Sequence, residues 1–101
     1  MQTVAVLSHP HNLGESIKIA QRIYKLGHEV INLDLIHFHD HFVHRKPPQW
    51  EHSYENLAGL CDGGIIIFDG LEEFNTLTAH CMTQNIPVFT SFEDWFNTLE
   101  D

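Results

Sequence analysis

Apolar and polar positions follow one another in blocks that predict strands and helices in alternation. Residues 3–7 form a continuous apolar run with β-branched side chains, which is typical of a strand covered on both faces. Residues 13–26 then follow a helical period and end before a glycine, a residue favoured just after a helix C-terminus. The two neighbouring apolar stripes of this predicted helix are Ile17, Ala20 and Tyr24, and Ile19, Ile23 and Leu26. Residues 29–35 predict a second strand.

The second half of the chain continues the alternation after an irregular stretch. Residues 36–50 contain four histidines and a double proline, and the prolines exclude a helix interior there. A helix is predicted next over 51–61, with Tyr54, Leu57, Ala58 and Cys61 inward, and a central strand follows over 63–68. A further helix over about 72–84 leads to a strand over 86–90. The last helix begins at the capping pattern of 91–94 and carries Trp95, Phe96 and Leu99.

This order of elements predicts one α/β domain that spans residues 1–101. The expected architecture is a small Rossmann-like or flavodoxin-like three-layer sandwich, with a four-stranded parallel sheet in the order 2-1-3-4. That order has a switch point between the first and third strands, and ligands of open α/β sheets bind at such a point. The loops 8–12 and 69–75 are expected to meet there, at the C-terminal edge of the sheet.

Composition narrows the possible partners. The net charge is −9 with only five Lys and Arg residues, which argues against a nucleic-acid backbone or an anionic membrane. No apolar run approaches the ~20 residues needed to cross a bilayer, and no secretory signal is visible at the N-terminus. Cys61 and Cys81 are the only cysteines, and both lie in apolar helical patterns. We therefore expect two buried free thiols in a cytoplasmic protein without a cofactor.

Two stretches of the chain carry a family resemblance. The first is LGHEVIN over residues 26–32, preceded by a strand, a proline-containing loop and a helix. The second is LAGLCDGGIIIFDG over residues 57–70. Together they resemble the nucleoside deoxyribosyltransferase-like superfamily, in particular its small phage and bacterial members. The resemblance covers nearly the whole chain and implies a nucleotide pocket, with Trp50 over the base, and a homo-oligomer.

Alignment with the family also indicates which of its usual catalytic residues this chain lacks. Enzymes of the family use a glutamate on the third helix, within a pattern of roughly Gly-x-x-x-Ser-x-Gly-x-x-x-Glu. Aligned from Gly70, the serine, glycine and glutamate positions hold Phe74, Thr76 and His80. A histidine does not supply the anionic oxygen that attacks or stabilises an anomeric carbon. The first loop departs from the family as well, because it has His9-Pro10 where Gly-Pro is usual.

The first hypothesis is therefore a protein that binds a nucleotide or an ADP-ribose-like molecule without fast turnover. A phage-type member of this kind would sequester a signalling nucleotide. The alternative is an N-glycosidase or nucleoside deoxyribosyltransferase-type enzyme that recruits Glu72 or Glu73, with His80 as a further catalytic candidate.

The predicted ligand-binding residues lie mostly in the two loops at the switch point. His9 and His11 can donate hydrogen bonds to a ligand phosphate, or they are simply exposed loop residues. Asp69 can bind a ribose hydroxyl or cap the following helix, and Trp50 can stack on a base or pack in the core. The full set of ligand-binding candidates is Ser8, His9, Pro10, Asn12, Asp34, Trp50, Asp69, Gly70, Glu73, Asn75 and His80.

The histidine cluster supports a third hypothesis, a metal-binding protein. In a strand, His37, His39 and His41 would face one side and offer a triad for Zn²⁺, Ni²⁺ or Cu²⁺. A polar loop that lines the ligand pocket, or an interface between copies, explains the same residues without a metal.

Overall fold

In the computed structural model of the protein, the described residues are 1–35 and 54–99. The chain forms four strands, three α-helices and a 3-10 turn in these parts, together with helical residues at 33–35 and 54–58. In chain order these elements are β1 (Thr3–Ser8), α1 (Leu13–Lys25), β2 (Glu29–Asn32), β3 (Ile65–Asp69), the 3-10 turn (Leu71–Phe74), α2 (Asn75–Thr83), β4 (Val88–Phe89) and α3 (Phe92–Asn97). None of the helices in these parts has the length and apolar character needed to cross a membrane.

The strands form one parallel sheet in the order β2-β1-β3-β4, which confirms the predicted fold class and strand order. Ala5 of β1 pairs with Ile31 on one side and with Ile65 on the other. The β1–β3 register shifts at the end of β1, where Ser8 pairs with Asp69. This irregularity lies at the predicted switch point.

Alternating residues of the central strands build two cores, one on each face of the sheet. Ala5 and Leu7 of β1 point to the face covered by residues 54–58 and α2. Val4 and Val6 point to the opposite face, which α1 and α3 cover. All four side chains are fully buried, as the unbroken apolar run predicts for a strand covered on both sides. The result is the expected three-layer arrangement.

The predicted second strand is wrong in its C-terminal half. β2 ends at Asn32, and residues 33–35 are helical. The side-chain oxygen of Asn32 accepts a hydrogen bond from the backbone N–H of Leu35 at 3.1 Å, an interaction that turns the chain away from the sheet. An apolar run does not distinguish strand from helix over so few residues, and the asparagine side chain decides between them here.

Other predicted elements are confirmed with shifted boundaries. The helix predicted over 51–61 is helical at 54–58 and ends before Cys61, and residues 51–53 lie outside the described residues. The predicted helix over 72–84 divides into the 3-10 turn and α2, and the turn is closed by the Glu73 N–H donating to the Gly70 carbonyl. β4 is only two residues long. Ser91 caps α3 as predicted, since its hydroxyl oxygen accepts from the Asp94 N–H at 3.1 Å.

Only one of the two predicted stripes of α1 belongs to the core. Ile19 and Ile23 are buried, whereas Leu26, the last member of their stripe, is 45% exposed because it lies just beyond the end of α1. In the other stripe, Ile17 is 41% exposed and Tyr24 is 69% exposed. The helix lies with the stripe of Ile19 against β1, β3 and α3, so the neighbouring stripe is turned towards the outer edge of the sheet.

Cys61 and Cys81 are free and buried in the same core, as predicted. Burial, followed by the charges of Asp62 and Cys81, raises the pKa of the Cys61 thiol from 9.0 to about 11. Burial, followed by Glu55, raises the pKa of Cys81 as well. Both thiols therefore stay protonated and unreactive in the folded protein at neutral pH.

The raised thiol pKa predicts a loss of stability at alkaline pH. The folded protein keeps the Cys61 proton up to about pH 11, while the unfolded chain gives it up from about pH 9. The unfolded state therefore binds fewer protons in this window, and stability falls as the pH rises. The expected loss from Cys61 is about 1 kcal/mol by pH 10 and about 2 kcal/mol by pH 11.

Urea unfolding at pH 8 and pH 10, in the native protein and in Cys61→Ala, isolates this contribution. The other titratable groups, Cys81 with its raised pKa included, are present in both proteins, so their contributions largely cancel in the difference. An equal alkaline loss in the two proteins would contradict the assignment to Cys61.

Candidate functional site

The two loops predicted to meet at the switch point are in contact. The backbone N–H of His9 donates to the Asp69 carbonyl at 3.0 Å. The ring of His9 lies 6.1 Å from the ring of Phe74 in an edge-on arrangement. The loop between β1 and α1 also contains a cis peptide bond, between His9 and Pro10. The carboxyl ends of β1 and β3 are thus joined to each other through their loops.

Gly70 permits this close approach. Its φ is +69°, in the left-handed region that favours glycine. A Cβ atom at this position would overlap the carbonyl oxygen of His9 and would lie 2.8 Å from the His9 Cβ. A glycine is therefore required for the first loop to rest on the end of β3.

A buried carboxylate organises the first loop. Asp34 is 0% exposed and lies two residues beyond the end of β2. Its Oδ1 accepts from the backbone N–H of Ser8 at 2.9 Å, and its Oδ2 accepts from the Ser8 hydroxyl at 2.7 Å. Oδ1 also contacts Nδ1 of His11 at 2.7 Å. The separation of Oδ1 and Nδ1 is a hydrogen-bond distance, and the tautomer of His11 sets which of the two atoms donates.

The Ser8 hydroxyl continues this network into the start of α1. Its oxygen accepts from the backbone N–H of Asn12 at 2.9 Å, while its proton is given to Asp34. Asn12 in turn caps the helix, because its side-chain oxygen accepts from the Glu15 N–H at 3.1 Å. The end of β1, the residues after β2 and the start of α1 are thereby held together by side-chain hydrogen bonds.

The predicted site residues fall into three groups by exposure. Ser8 and Asp34 are fully buried and bonded to each other, which suits them to hold the loop. Gly70 and His80 are half-buried. The exposed members are His9, Pro10, Asn12, Asp69, Glu72, Glu73 and Asn75. Trp50 and the metal candidates His37, His39 and His41 lie outside the described residues.

His80 is separated from the rest of the candidates along α2. It follows Asn75, the first residue of α2, by five positions, which corresponds to a rise of about 7 Å. Glu72 and Glu73 stand in the 3-10 turn directly after Gly70 and are exposed there. Of the three catalytic candidates, the two glutamates are therefore the ones beside the meeting point of the loops.

A separate groove lies away from this edge. It has a volume of about 450 Å³ and runs between α1 and β2. Its lining residues are Ile17, Ala20, Gln21, Tyr24, Lys25, Val30, Asn32 and Leu35, and none of them is a predicted site residue. The lining is mainly apolar, whereas the loop edge brings together titratable and hydrogen-bonding groups. We place the candidate site at the loop edge because of this chemistry.

No three His, Cys, Asp or Glu side chains in residues 1–35 and 54–99 are arranged to hold a metal ion. The metal hypothesis thus depends on the histidine cluster, which lies beyond those ranges.

The pairing of Asp34 with His11 is the feature that sequence reasoning missed. His11 is expected at the switch point and Asp34 is only a ligand-binding candidate, and nothing in the sequence links the two. The available signal was the charge of Asp34 between Leu33 and Leu35, since a charged residue inside an apolar run is rarely buried unless it is paired.

Comparison with known proteins adds no relative to this description. No protein-family model, no curated protein and no solved structure matches the chain.

Proposed function

We propose that the protein binds a nucleotide-like small molecule at the C-terminal edge of its sheet, between the loops that follow β1 and β3. The observation that supports this most is the junction of the two loops at the switch point, where the His9 N–H donates to the Asp69 carbonyl. Ligands of open α/β sheets bind outside the carboxyl ends of the strands at such a point.

The side chains around the junction suit the parts of a nucleotide. His9 is exposed and can donate a hydrogen bond to a phosphate. Asp69 and Glu73 are exposed carboxylates, which accept hydrogen bonds from ribose hydroxyls or from amino groups of a base. A net charge of −9 favours a small ligand, in which local donors outweigh the overall field, over a nucleic acid.

The absence of turnover is part of this proposal, and it rests on the family resemblance. The position of the usual glutamate holds His80, which lies along α2 and away from the loop junction. We propose a cytoplasmic setting, which two free, buried and protonated thiols support.

A second candidate function is an N-glycosidase. The exposure of Glu72 and Glu73 next to Gly70 favours it, because a carboxylate at this edge can stabilise an oxocarbenium-like centre.

Binding is tested by mass spectrometry of small molecules released from the natively purified protein on denaturation, followed by titration with nucleoside mono-, di- and triphosphates and ADP-ribose. We expect a nucleotide to co-purify unchanged and to raise the melting temperature. His9→Ala should weaken its affinity about tenfold, the expected cost of one charge-assisted hydrogen bond. Gln84→Ala removes an exposed polar side chain at the opposite end of α2 and should leave the affinity unchanged.

The same incubations separate the two functions. Release of free base and sugar phosphate, abolished by Glu73→Gln or Glu72→Gln, would replace the binding proposal by the glycosidase. If no ligand were recovered and no nucleotide shifted the melting temperature, both the binding proposal and the glycosidase proposal would be overturned.

A further inference from the structure

The outward side of α1 carries two neighbouring stripes of different character. The first stripe is apolar, lines the groove between α1 and β2, and consists of Ile17, Ala20 and Tyr24. Two of its members, Ile17 and Tyr24, are exposed rather than packed in the core. The second stripe is basic, and it consists of Lys18, Arg22 and Lys25. Residues three and four positions apart share one face of a helix, so the two stripes run side by side along α1.

The basic stripe holds every lysine and arginine found in residues 1–35 and 54–99. Arg22 lies 3.7 Å from the Glu93 carboxylate and 3.9 Å from the centre of the Phe92 ring, so α3 already binds it. Within those ranges, neither Lys18 nor Lys25 forms an ion pair. Both are exposed, and two cations without a partner therefore border the apolar groove.

The spacing of these residues fits one kind of occupant. Ile17 and Tyr24 are seven positions apart, as are Lys18 and Lys25, which corresponds to a rise of about 10 Å along α1. An amphipathic helix places apolar side chains at the same interval, with i, i+3 or i+4 and i+7 as its anchors in a groove. A row of acidic residues beside those anchors would complement the two lysines.

The charge of the basic stripe disfavours a second copy of the chain in the groove. Two grooves that packed on each other about a two-fold axis would bring Lys18 of one copy towards Lys25 of the other. Like charges so placed repel, whereas an acidic segment is attracted. The net charge of −9 does not oppose that attraction strongly, because charges more than about 8 Å away are largely screened at physiological salt.

We propose that the groove between α1 and β2 docks an amphipathic helical segment of another protein, whose apolar face fills the groove and whose acidic flank pairs with Lys18 and Lys25. The groove shares no residue with the loops 8–12 and 69–75. This interaction is therefore separate from ligand binding at the loop edge and does not rest on the proposed function.

Two synthetic peptides test the proposal by fluorescence anisotropy with the native protein. Each is a labelled, alanine-rich helix of about 15 residues with leucines at the i, i+3, i+4 and i+7 positions. One carries glutamates along one flank, and its twin carries lysines at the same positions. We expect the glutamate peptide to bind about tenfold more tightly, the combined effect of two attractive pairs in place of two repulsive ones.

Reversing the charge of the basic stripe should reverse this preference. The double substitution Lys18→Glu with Lys25→Glu is expected to bind the lysine peptide more tightly than the glutamate peptide. Both side chains are exposed, so the fold should be retained, and circular dichroism verifies it.

Tyr24→Ser tests the apolar contact and should weaken binding of the glutamate peptide about tenfold, because less apolar surface is then removed from water. Met82→Ser is the matched control. It also removes an exposed apolar side chain from a helix, but α2 covers the opposite face of the sheet, so the affinity should not change.

Four results would overturn the proposal. They are no binding of the glutamate peptide, equal binding of the two peptides, a preference that survives the charge reversal, and native affinity in Tyr24→Ser. Sedimentation measures the competing occupant, because a concentration-dependent dimer that Tyr24→Ser abolishes would assign the groove to a second copy and reject the acidic segment.

Discussion

Asp34→Ala is expected to lower the free energy of unfolding by about 2–4 kcal/mol. The carboxylate accepts hydrogen bonds from the N–H and the hydroxyl of Ser8, a residue that is itself 0% exposed. Alanine removes the acceptor, and each buried donor left without a partner costs roughly 1–3 kcal/mol. Of a total stability of about 5–15 kcal/mol, this is a large fraction. Urea unfolding followed by far-ultraviolet circular dichroism measures the change.

Asp62→Ala is the matched control for this prediction. The Asp62 carboxylate also accepts from a backbone N–H, that of Thr3 at 2.6 Å, but the residue is exposed. Water replaces the lost acceptor there, so the expected change is about 0.5 kcal/mol. If the two variants lost the same stability, burial of Asp34 would not be the cause, and the loop would not depend on it.

Trp95→Ala should destabilise the protein most, by about 3–5 kcal/mol. Trp95 is the largest fully buried side chain among the described residues and joins α3 to the rest of the domain. Its ring centroid lies 5.7 Å from that of Phe92 and 5.3 Å from that of His28, and its Nε1–H donates to the Gln2 side-chain oxygen at 3.2 Å. Alanine leaves a cavity at the contact of α3 with the sheet. Thermal and urea unfolding should be followed by circular dichroism. Tryptophan fluorescence is less suitable, because the substitution removes Trp95 itself and leaves only the signal of Trp50.

Trp95→Phe separates packing from the hydrogen bond in the same position. It retains an aromatic ring but removes the N–H that bonds to Gln2, so an intermediate loss of about 1–2 kcal/mol is expected. A loss in Trp95→Phe equal to that in Trp95→Ala would indicate that the hydrogen bond, and not the filled volume, stabilises α3.

The substitutions of Trp95 and Asp34 test two separate parts of the structure. Trp95 lies in the core formed with α1 and α3, and Asp34 lies at the carboxyl edge of the sheet. Because the two sites share no partner within residues 1–35 and 54–99, their effects on stability should be nearly additive. Only Asp34→Ala should also alter the candidate site, since it releases both Ser8 and His11.

The fold was predicted correctly because the apolar or polar character of each residue indicates by itself whether that residue is buried. The apolar runs at β1 and β3 are buried on both faces, and helical periods separate them, so the parallel sheet follows from the order of elements. The prediction failed where one side chain decides the backbone. Asn32 bonds to the Leu35 N–H and ends β2 three residues earlier than the apolar pattern indicates.

The candidate site was predictable only as a location. The strand order brings the loops after β1 and β3 together, and they are in contact through His9 and Asp69. Their chemistry was less predictable, because exposure and partners depend on how the elements pack. Ser8 looked like a ligand contact from its position at the strand end, yet its hydroxyl is bonded on both sides, to Asp34 and to the Asn12 N–H.

The sequence by itself determined the α/β class, the strand order and most of the core, since the local spacing of apolar residues indicates which of them are buried. Tertiary structure alone decided that Asp34 meets Ser8 and His11, residues 26 and 23 positions away along the chain. The physical reason is that the hydrophobic effect has no direction and depends on each residue's own surface. A hydrogen bond requires two particular atoms at about 3 Å, and only the packed elements place them there.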